Sequence, residues 1–188
     1  EAVQLAFGPG GHRYALGTTA KPGGNEMLEW LDGAWKPVEG GEAGVSLSVA
    51  PDGALWLITD KNAIRKREGG VWSDVPGRVV RIAHGPNGTH YALSADKLDG
   101  GYDILEWTGS EWRSFGASSA AIEIAVAPDG VLWVVNSNGF TFFRNNDAWA
   151  PFHSYSRPMR LGVAPDGTLL GLGLDWATQA WTLLKVQS

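Results

Sequence analysis

Five segments of the chain alternate apolar residues with others at a period of two, which is the pattern of a β-strand with one buried face. The apolar positions are Val3, Leu5, Phe7; Val45, Leu47, Val49; Val80, Ile82, with His84 in the third place; Ile122, Ile124, Val126; and Met159, Leu161, Val163. The other positions are often small, as at Ala6, Ser46, Ser48, Ala83, Ala125 and Gly162. A large and a small face on one strand indicate sheets that stack on one another, as propeller blades do.

Each segment is followed by a proline turn that ends in glycine, at Gly11, Gly53, Gly88, Gly130 and Gly167. Proline presets φ, Asp or Asn favours the next position, and glycine accepts the positive φ that closes a hairpin. The turns lie 42, 35, 42 and 37 residues apart, near the ~40 residues of a four-stranded blade. A bulky residue follows three positions after each glycine, and we expect it opposite the middle apolar residue of the preceding strand: Tyr14, Trp56, Tyr91, Trp133 and Leu170.

The sequence therefore predicts an all-β fold, a small β-propeller of five blades with mostly four antiparallel strands, as a single domain over residues 1–188. The predicted repeats, called repeats 1 to 5 below, span about 1–41, 42–78, 79–117, 118–155 and 156–188. Repeat 5 is incomplete, which predicts an open edge for a partner strand or a second copy of the chain. Repeats 1 and 3 resemble each other, as do repeats 2 and 4, which indicates that a pair of blades was duplicated and that two kinds of cleft alternate.

The composition of the chain argues against several classes of binding partner and of chemistry. The net charge is −5 and no basic stripe is present, which argues against nucleic acid. No apolar run approaches the ~20 residues of a spanning helix, so we expect no membrane insertion. The chain has no cysteine, which excludes disulfides and thiolate chemistry. Because residue 1 is Glu, we expect a processed form or a part of something longer.

The stretch from Val126 to Trp149 resembles a tectonin repeat, and Val75–Gly77 resembles the closing turn of that repeat. The resemblance extends over the chain as five degenerate copies and is best in repeats 2 and 4. It implies a lectin-like propeller of the tectonin and tachylectin type, with weak glycan sites between blades and no catalytic machinery. It also favours a secreted or extracellular protein. Tyr or Leu replaces Trp at positions 14, 91 and 170, which departs from the family pattern.

Candidate ligand-binding residues lie on the outer hairpins, where two aromatic side chains, or an arginine and a tryptophan, flank a short turn. Such side chains face each other across the strands, and aromatic faces stack on sugar rings while polar groups bind the hydroxyls. The same tryptophans also suit packing between blades. The candidates are Trp30 and Trp35, Trp107 and Trp112, Arg67 and Trp72, and Arg144 and Trp149.

Catalytic and metal signatures are missing from the sequence. His12, His84, His90 and His153 have no metal-ligand spacing, and no nucleophile elbow, phosphate loop or dinucleotide fingerprint is present. Asp96, Asp99 and Asp103 lack the EF-hand pattern. We therefore expect no metal, no cofactor and no enzyme, with a two-carboxylate hydrolase as the least favoured alternative. His84 is expected to be a buried, hydrogen-bonded imidazole.

Two further features leave alternatives open. The long loops Thr18–Glu26 and Ser94–Asp103 share a Gly–Gly pair and suit either recognition or simple connection. For function, a glycan-binding propeller that gains avidity from repeated sites is the first interpretation. The alternative is a protein-interaction or sensor propeller that forms part of a larger protein or oligomer.

Overall fold

The computed structural model of the chain describes residues 1–116, 119–145, 147–152, 157–163, 168–175 and 180–186. These residues form antiparallel strands, with one short 3₁₀ helix at Pro9–Gly11. The all-β prediction is confirmed. The fifth proline turn, Ala164–Gly167, and His153 lie outside the described residues.

The strands are grouped below by the predicted repeats in or beside which they lie. Repeat 1 contains β1 (Ala2–Phe7), β2 (Arg13–Lys21), β3 (Gly24–Leu31) and β4 (Ala34–Pro37), followed by the short β5 (Ala43–Gly44). Repeat 2 contains β6 (Ser46–Val49), β7 (Leu55–Ile58), β8 (Ala63–Glu68) and the start of β9 (Val71–His84). The end of β9, β10 (His90–Leu98), β11 (Gly101–Trp107) and β12 (Trp112–Ser114) form repeat 3, followed by the short β13 (Ala120–Ala121). Repeat 4 contains β14 (Glu123–Val126), β15 (Leu132–Val135), β16 (Thr141–Asn145) and β17 (Ala148–Phe152), and repeat 5 contains β18 (Arg157–Val163), β19 (Leu169–Asp175) and β20 (Ala180–Val186).

Repeats 2 and 3 share one sheet, because β9 is the last strand of one and the first strand of the other. The sequence resemblance predicted a closing turn at Val75–Gly77, and this prediction is wrong. The segment lies inside β9 and forms a bulge, where the pairing with β8 shifts between Ala63 and Ile64. Proline has no N–H to donate and is tolerated in a strand at such a bulge.

The first hairpin of each repeat has a different register from the one expected. Tyr14 lies opposite Ala6 and Trp56 opposite Ser48, and not opposite the middle apolar residues Leu5 and Leu47. The turn of repeat 2 closes from Ala50 to Ala54, with the Ala50 N–H donating to the Ala54 carbonyl at 2.9 Å. Since a shift of one residue moves a side chain to the other face, the bulky residue lies on the small-residue face of its sheet.

This register decides how the repeats stack. The small face of each repeat, with its bulky second-strand residue, packs against the large face of the next repeat. One cluster joins Tyr14 and Leu16 of repeat 1 to Leu47 and Leu57 of repeat 2. Equivalent clusters follow between repeats 2 and 3, 3 and 4, and 4 and 5. The core is therefore divided among four junctions between consecutive repeats.

The Gly–Gly pairs of the two long loops have a packing role. Both loops are extended hairpins, in which Gly24 begins β3 and Gly101 begins β11. A Cβ on Gly24 would lie 2.4 Å from the Gly44 backbone, and one on Gly101 would lie 2.5 Å from the Ala121 carbonyl oxygen. Both glycines have positive φ, 140° and 145°. The absence of a side chain thus lets β5 and β13 pair with the hairpins.

Candidate functional site

The predicted tryptophan pairs lie opposite each other, as expected from the hairpins. Trp30 pairs with Trp35 and Trp107 pairs with Trp112. The first pair meets edge to face, with ring centroids 5.3 Å apart, and its members are 36% and 38% exposed. The second pair is only partly exposed, because Trp112 packs against Trp56 of repeat 2, with ring centroids 6.4 Å apart.

The predicted Arg–Trp pairs also lie directly opposite each other. Trp72 packs against the cluster between repeats 1 and 2, and Trp149 against the cluster between repeats 3 and 4. The Trp149 indole N–H donates to the Ser119 hydroxyl at 2.9 Å. The Arg144 guanidinium lies 4.3 Å from the centre of the Phe115 ring, a cation–π arrangement. All four side chains are partly buried.

Two clefts between repeats carry equivalent side chains. Cleft A, between repeats 1 and 2, contains Tyr14, Glu29 and Arg67, with Trp72 beside them. Cleft B, between repeats 3 and 4, contains the residues found 77 positions later in the chain: Tyr91, Glu106, Arg144 and Trp149. In both clefts the tyrosine lies opposite the glutamate on adjacent strands. The alternation inferred from the sequence thus corresponds to a repeated set of side chains.

The electrostatics of the two tyrosines are similar. Burial raises the pKa of Tyr14, and the Glu29 carboxylate raises it further by charge and by hydrogen bonding, while Arg67 opposes both effects. Burial and the Glu106 carboxylate likewise raise the pKa of Tyr91 against the effect of Arg144. Both phenols therefore stay neutral at physiological pH and act as hydrogen-bonding groups.

Cleft A opens into a cavity at the end of the sheets that carries the proline turns. The cavity has a volume of about 340 Å³ and is lined by Gly8, Pro9, Gly10, His12, Tyr14, Val49, Asp52 and Gly53. The His12 and Tyr14 rings are nearly parallel, with centroids 6.3 Å apart. His12 Nδ1 lies 3.4 Å from Glu29 Oε1, and Asp52 accepts a bond from the Ala54 N–H at 2.9 Å.

Sequence reasoning missed this cavity. The proline-turn pattern accounts for Asp52 as a turn residue, and no motif in the sequence indicates a pocket beside it. The turns of repeats 1 and 2 themselves form the walls, because the stacking of the repeats brings both turns to one place. In cleft B the corresponding positions carry Thr89 in place of His12 and Asp129 in place of Asp52. The available signal in the sequence was the recurrence of Asp at the same turn position, at Asp52 and Asp129.

Cleft B has a smaller cavity of about 130 Å³, which is mainly apolar and is lined by Ile104, Ser119, Ala120, Val134, Asn136, Phe142 and Trp149. In cleft A the position of Phe142 is taken by Arg65, which bonds to Glu42 and Asp74. The two clefts therefore differ in these side chains although their strands are arranged alike.

A polar cluster links repeats 2 and 3. His84 Nδ1 lies 2.9 Å from His90 Nδ1, and His84 Nε2 lies 2.9 Å from the Ser48 hydroxyl. Burial lowers the pKa of His84 to about 3, with a further contribution from His90 and Lys66 that Asp52 opposes. His84 is hydrogen-bonded as predicted, and its side chain is partly exposed at the surface. A base with so low a pKa is largely ineffective in proton transfer at neutral pH.

Glu123 links repeats 3, 4 and 5 through two arginines. Its carboxylate is buried and lies 3.1 Å from an Arg81 nitrogen and 3.2 Å from an Arg160 nitrogen. Burial raises the pKa of Glu123, and the two guanidinium groups oppose that effect. These two ion pairs therefore connect three consecutive repeats near their first strands.

The described parts of the chain hold no group of three or more His, Cys, Asp or Glu side chains placed to bind a metal ion. Among the same residues, no helix is long and apolar enough to cross a membrane.

Neither a known family model nor a curated protein matches the sequence. Solved structures do match. YCF48 bound to D1 peptide has a TM-score of 0.61 at 17% identity, over 95% of this chain and 66% of that one. The WD40 β-propeller domain of Doa1 gives 0.63 at 12% identity, over 100% and 64%. A puromycin-hydrolyzing peptidase of Mycobacterium tuberculosis gives 0.70 at 14% identity, over 100% and 36%.

These structures are similar to the chain in fold, and the fold is that of a β-propeller domain. The chain spans about two thirds or less of the length of each. No family model supports the resemblance to tectonin repeats. The number of blades stays a prediction.

Proposed function

We propose that the protein is an interaction propeller that binds a short peptide segment of a partner protein in cleft A. The observation that carries the proposal is the cavity of about 340 Å³ between the first two proline turns. Its volume lies within the range of pockets that take small ligands or single side chains. YCF48, whose fold is similar, was solved with a bound peptide, which supports a peptide as the ligand class.

The lining of the cavity suits a peptide. Gly8, Gly10 and Gly53 expose backbone that a second chain can approach closely. The nearly parallel rings of His12 and Tyr14 offer aromatic surface on one wall. Asp52 uses one carboxylate oxygen within its turn, and its other oxygen can accept a bond from a peptide N–H or a basic side chain.

A peptide selection against the immobilised protein tests the proposal, followed by measurement of Kd for the best peptide. We expect Asp52→Asn and His12→Ala to weaken binding by about tenfold or more, as for a lost hydrogen bond to a charged group. Asp129→Asn and Thr89→Ala are the matched controls, because Asp129 caps its turn just as Asp52 does but does not line this cavity. The controls are expected to change Kd less than twofold.

Two results would contradict the proposal. One is a selection that returns no peptide binding the folded protein. The other is an equal loss of affinity in Asp52→Asn and Asp129→Asn, which would trace the effect to the turns and not to the cavity.

A second candidate is glycan binding by the Trp30–Trp35 pair, as in a lectin-like propeller of the tectonin type. The observation that favours it is the exposure of both indoles at edge-to-face geometry, which leaves flat apolar surface for a sugar ring. The other pairs, Trp107 with Trp112, Arg67 with Trp72, and Arg144 with Trp149, remain predicted glycan sites of the same kind.

A glycan array tests this candidate. We expect Trp30→Ala to abolish sugar-competable binding while the fold is retained, whereas Leu31→Ala, an exposed neighbour on the same hairpin, leaves it unchanged. A blank array with folded protein would argue against the glycan candidate and would leave the peptide proposal intact.

A further inference from the structure

The cavity of cleft B lies at the end of the sheets opposite to the proline turns. The turn before β15 closes between Ala127 and Val131, whereas Asn136, which lines the cavity, follows the other end of that strand. The cavity of cleft A, in contrast, is lined by the proline turns themselves. The two cavities are therefore separate sites at opposite ends of the stacked sheets.

The side chains of cleft B leave space where cleft A is filled. At the equivalent place in cleft A, Arg65 bonds to Glu42 across the junction. Arg65 lies opposite Leu57 on the adjacent strand, just as Phe142 lies opposite Val134 in repeat 4. The residues found 77 positions later are uncharged, and two of them are smaller: Phe142 for Arg65, Ser119 for Glu42 and Val134 for Leu57. The shorter serine and valine account for the open space in cleft B.

The size of this cavity suits one small molecule. Its volume of about 130 Å³ is close to the ~150 Å³ of an apolar protein cavity that binds benzene or xenon. Ala120, Phe142 and Trp149 line it and are partly exposed. A ligand can therefore enter from solvent without separation of the repeats.

The two polar side chains of the wall already have hydrogen-bond partners. Ser119 accepts the indole N–H of Trp149 at 2.9 Å. The side-chain oxygen of Asn136 accepts the backbone N–H groups of Asn138 and Phe140, each at 3.0 Å. None of the described residues that line the cavity is charged, so a charged ligand would lose its hydration there without gaining a counter-charge.

We propose that the cavity of cleft B binds an uncharged apolar molecule of about benzene size. Ile104, Val134 and Phe142 supply apolar contacts for such a ligand, and burial of its surface provides the free energy of binding. The indole of Trp149 adds an aromatic surface to the same wall. The site is independent of the peptide proposed for cleft A, because no residue lines both cavities.

Nuclear magnetic resonance of the ¹⁵N-labelled full chain, with benzene as the probe, tests the proposal. The reporter is the indole N–H signal of Trp149, which Trp149→Phe identifies. We expect a saturable shift of this signal, with a Kd of about 1 mM or lower. Benzoate carries the same ring with a negative charge, and it is expected to leave the signal unchanged.

A pair of matched substitutions locates the binding. Val134→Leu places in cleft B the residue that cleft A holds at Leu57, so the fold is expected to be retained. The added volume takes the place of the ligand and is expected to weaken benzene binding about tenfold or more. Val131→Leu is the control, because Val131 packs in the cluster between repeats 4 and 5 and does not line the cavity. Ala120→Val is a second filling variant in case Val134→Leu fails to fold.

Three results would overturn the proposal. One is the absence of a saturable shift of the Trp149 signal up to the solubility of benzene. The second is an equal loss of affinity in folded Val134→Leu and Val131→Leu, which would place the ligand elsewhere. The third is binding of benzoate as tight as that of benzene, which would contradict an apolar site.

Discussion

Acidification is expected to destabilise the protein through His84. Burial keeps this imidazole neutral in the folded state, with its pKa lowered to about 3, whereas an unfolded chain takes up a proton near pH 6.5. Between these two values the unfolded state binds more protons, so stability is complete above about pH 7 and falls as the pH is lowered towards 3. At pH 5 the two pKa values correspond to a loss of about 2 kcal/mol from His84 alone.

The assay is urea unfolding at pH 7.5 and pH 5.0, followed by tryptophan fluorescence. A loss of about 2 kcal/mol lowers the urea midpoint by about 1 M for a chain of this size. Replacing His84 with Gln, which is uncharged at both pH values, is expected to lower the pH-dependent loss by about 2 kcal/mol. His12→Gln is the control, because His12 is exposed, and it is expected to keep the wild-type loss.

Other groups also change protonation over the same pH range. Comparing the wild type with the variants removes their contribution to the loss of stability. Burial raises the pKa of Glu123 despite its two arginines, so its contribution to stability has the opposite sign and falls as the pH rises. Wild type and His84→Gln both contain Glu123. If both lose the same stability between pH 7.5 and 5.0, the assignment of the effect to the buried imidazole is refuted.

Two further predictions use pairs of equivalent positions, and urea unfolding measures both. Leu47→Ala is expected to cost about 2–5 kcal/mol and Leu5→Ala less than about 0.5 kcal/mol, because only Leu47 is covered by a neighbouring repeat; similar losses would contradict the stacking scheme. Gly24→Ala is expected to cost more than about 2 kcal/mol, since its Cβ would meet the Gly44 backbone at positive φ. Gly162→Ala, at an open position, is expected to be nearly neutral, and a neutral Gly24→Ala would show that β5 can move aside.

The fold was largely predictable because its signals are local. Alternation of apolar residues in β1, β6 and β14 and the proline turns after them define hairpins, and their spacing predicts repeated sheets. The register of the paired strands, in contrast, could not be predicted from these local patterns. The turn after Val49 takes one more residue than expected, and that shift decides that Trp56 faces repeat 3.

The candidate site was predictable only in part. The pairing of Trp30 with Trp35 follows from a four-residue hairpin turn. Asp52 lines the cavity only because two consecutive repeats stack. The sequence pattern of a single repeat carries no information about that stacking. Likewise Trp30 and Trp107 have the same local sequence context but different exposure, because only repeat 3 has a preceding repeat.

The uninterrupted β9 has a consequence for how the chain tolerates change. Between repeats 1 and 2 the chain is irregular over residues 38–42, and such a segment absorbs small rotations and accepts inserted residues without breaking a ladder of hydrogen bonds. Between repeats 2 and 3 the polypeptide crosses as one strand, whose first part, up to Arg78, pairs with β8 and whose second part, from Val79, pairs with β10. New termini or an added loop at this crossing would interrupt a continuous strand. We therefore expect repeats 2 and 3 to be the least divisible pair of repeats, and inserted residues to be tolerated better in the connection between repeats 1 and 2.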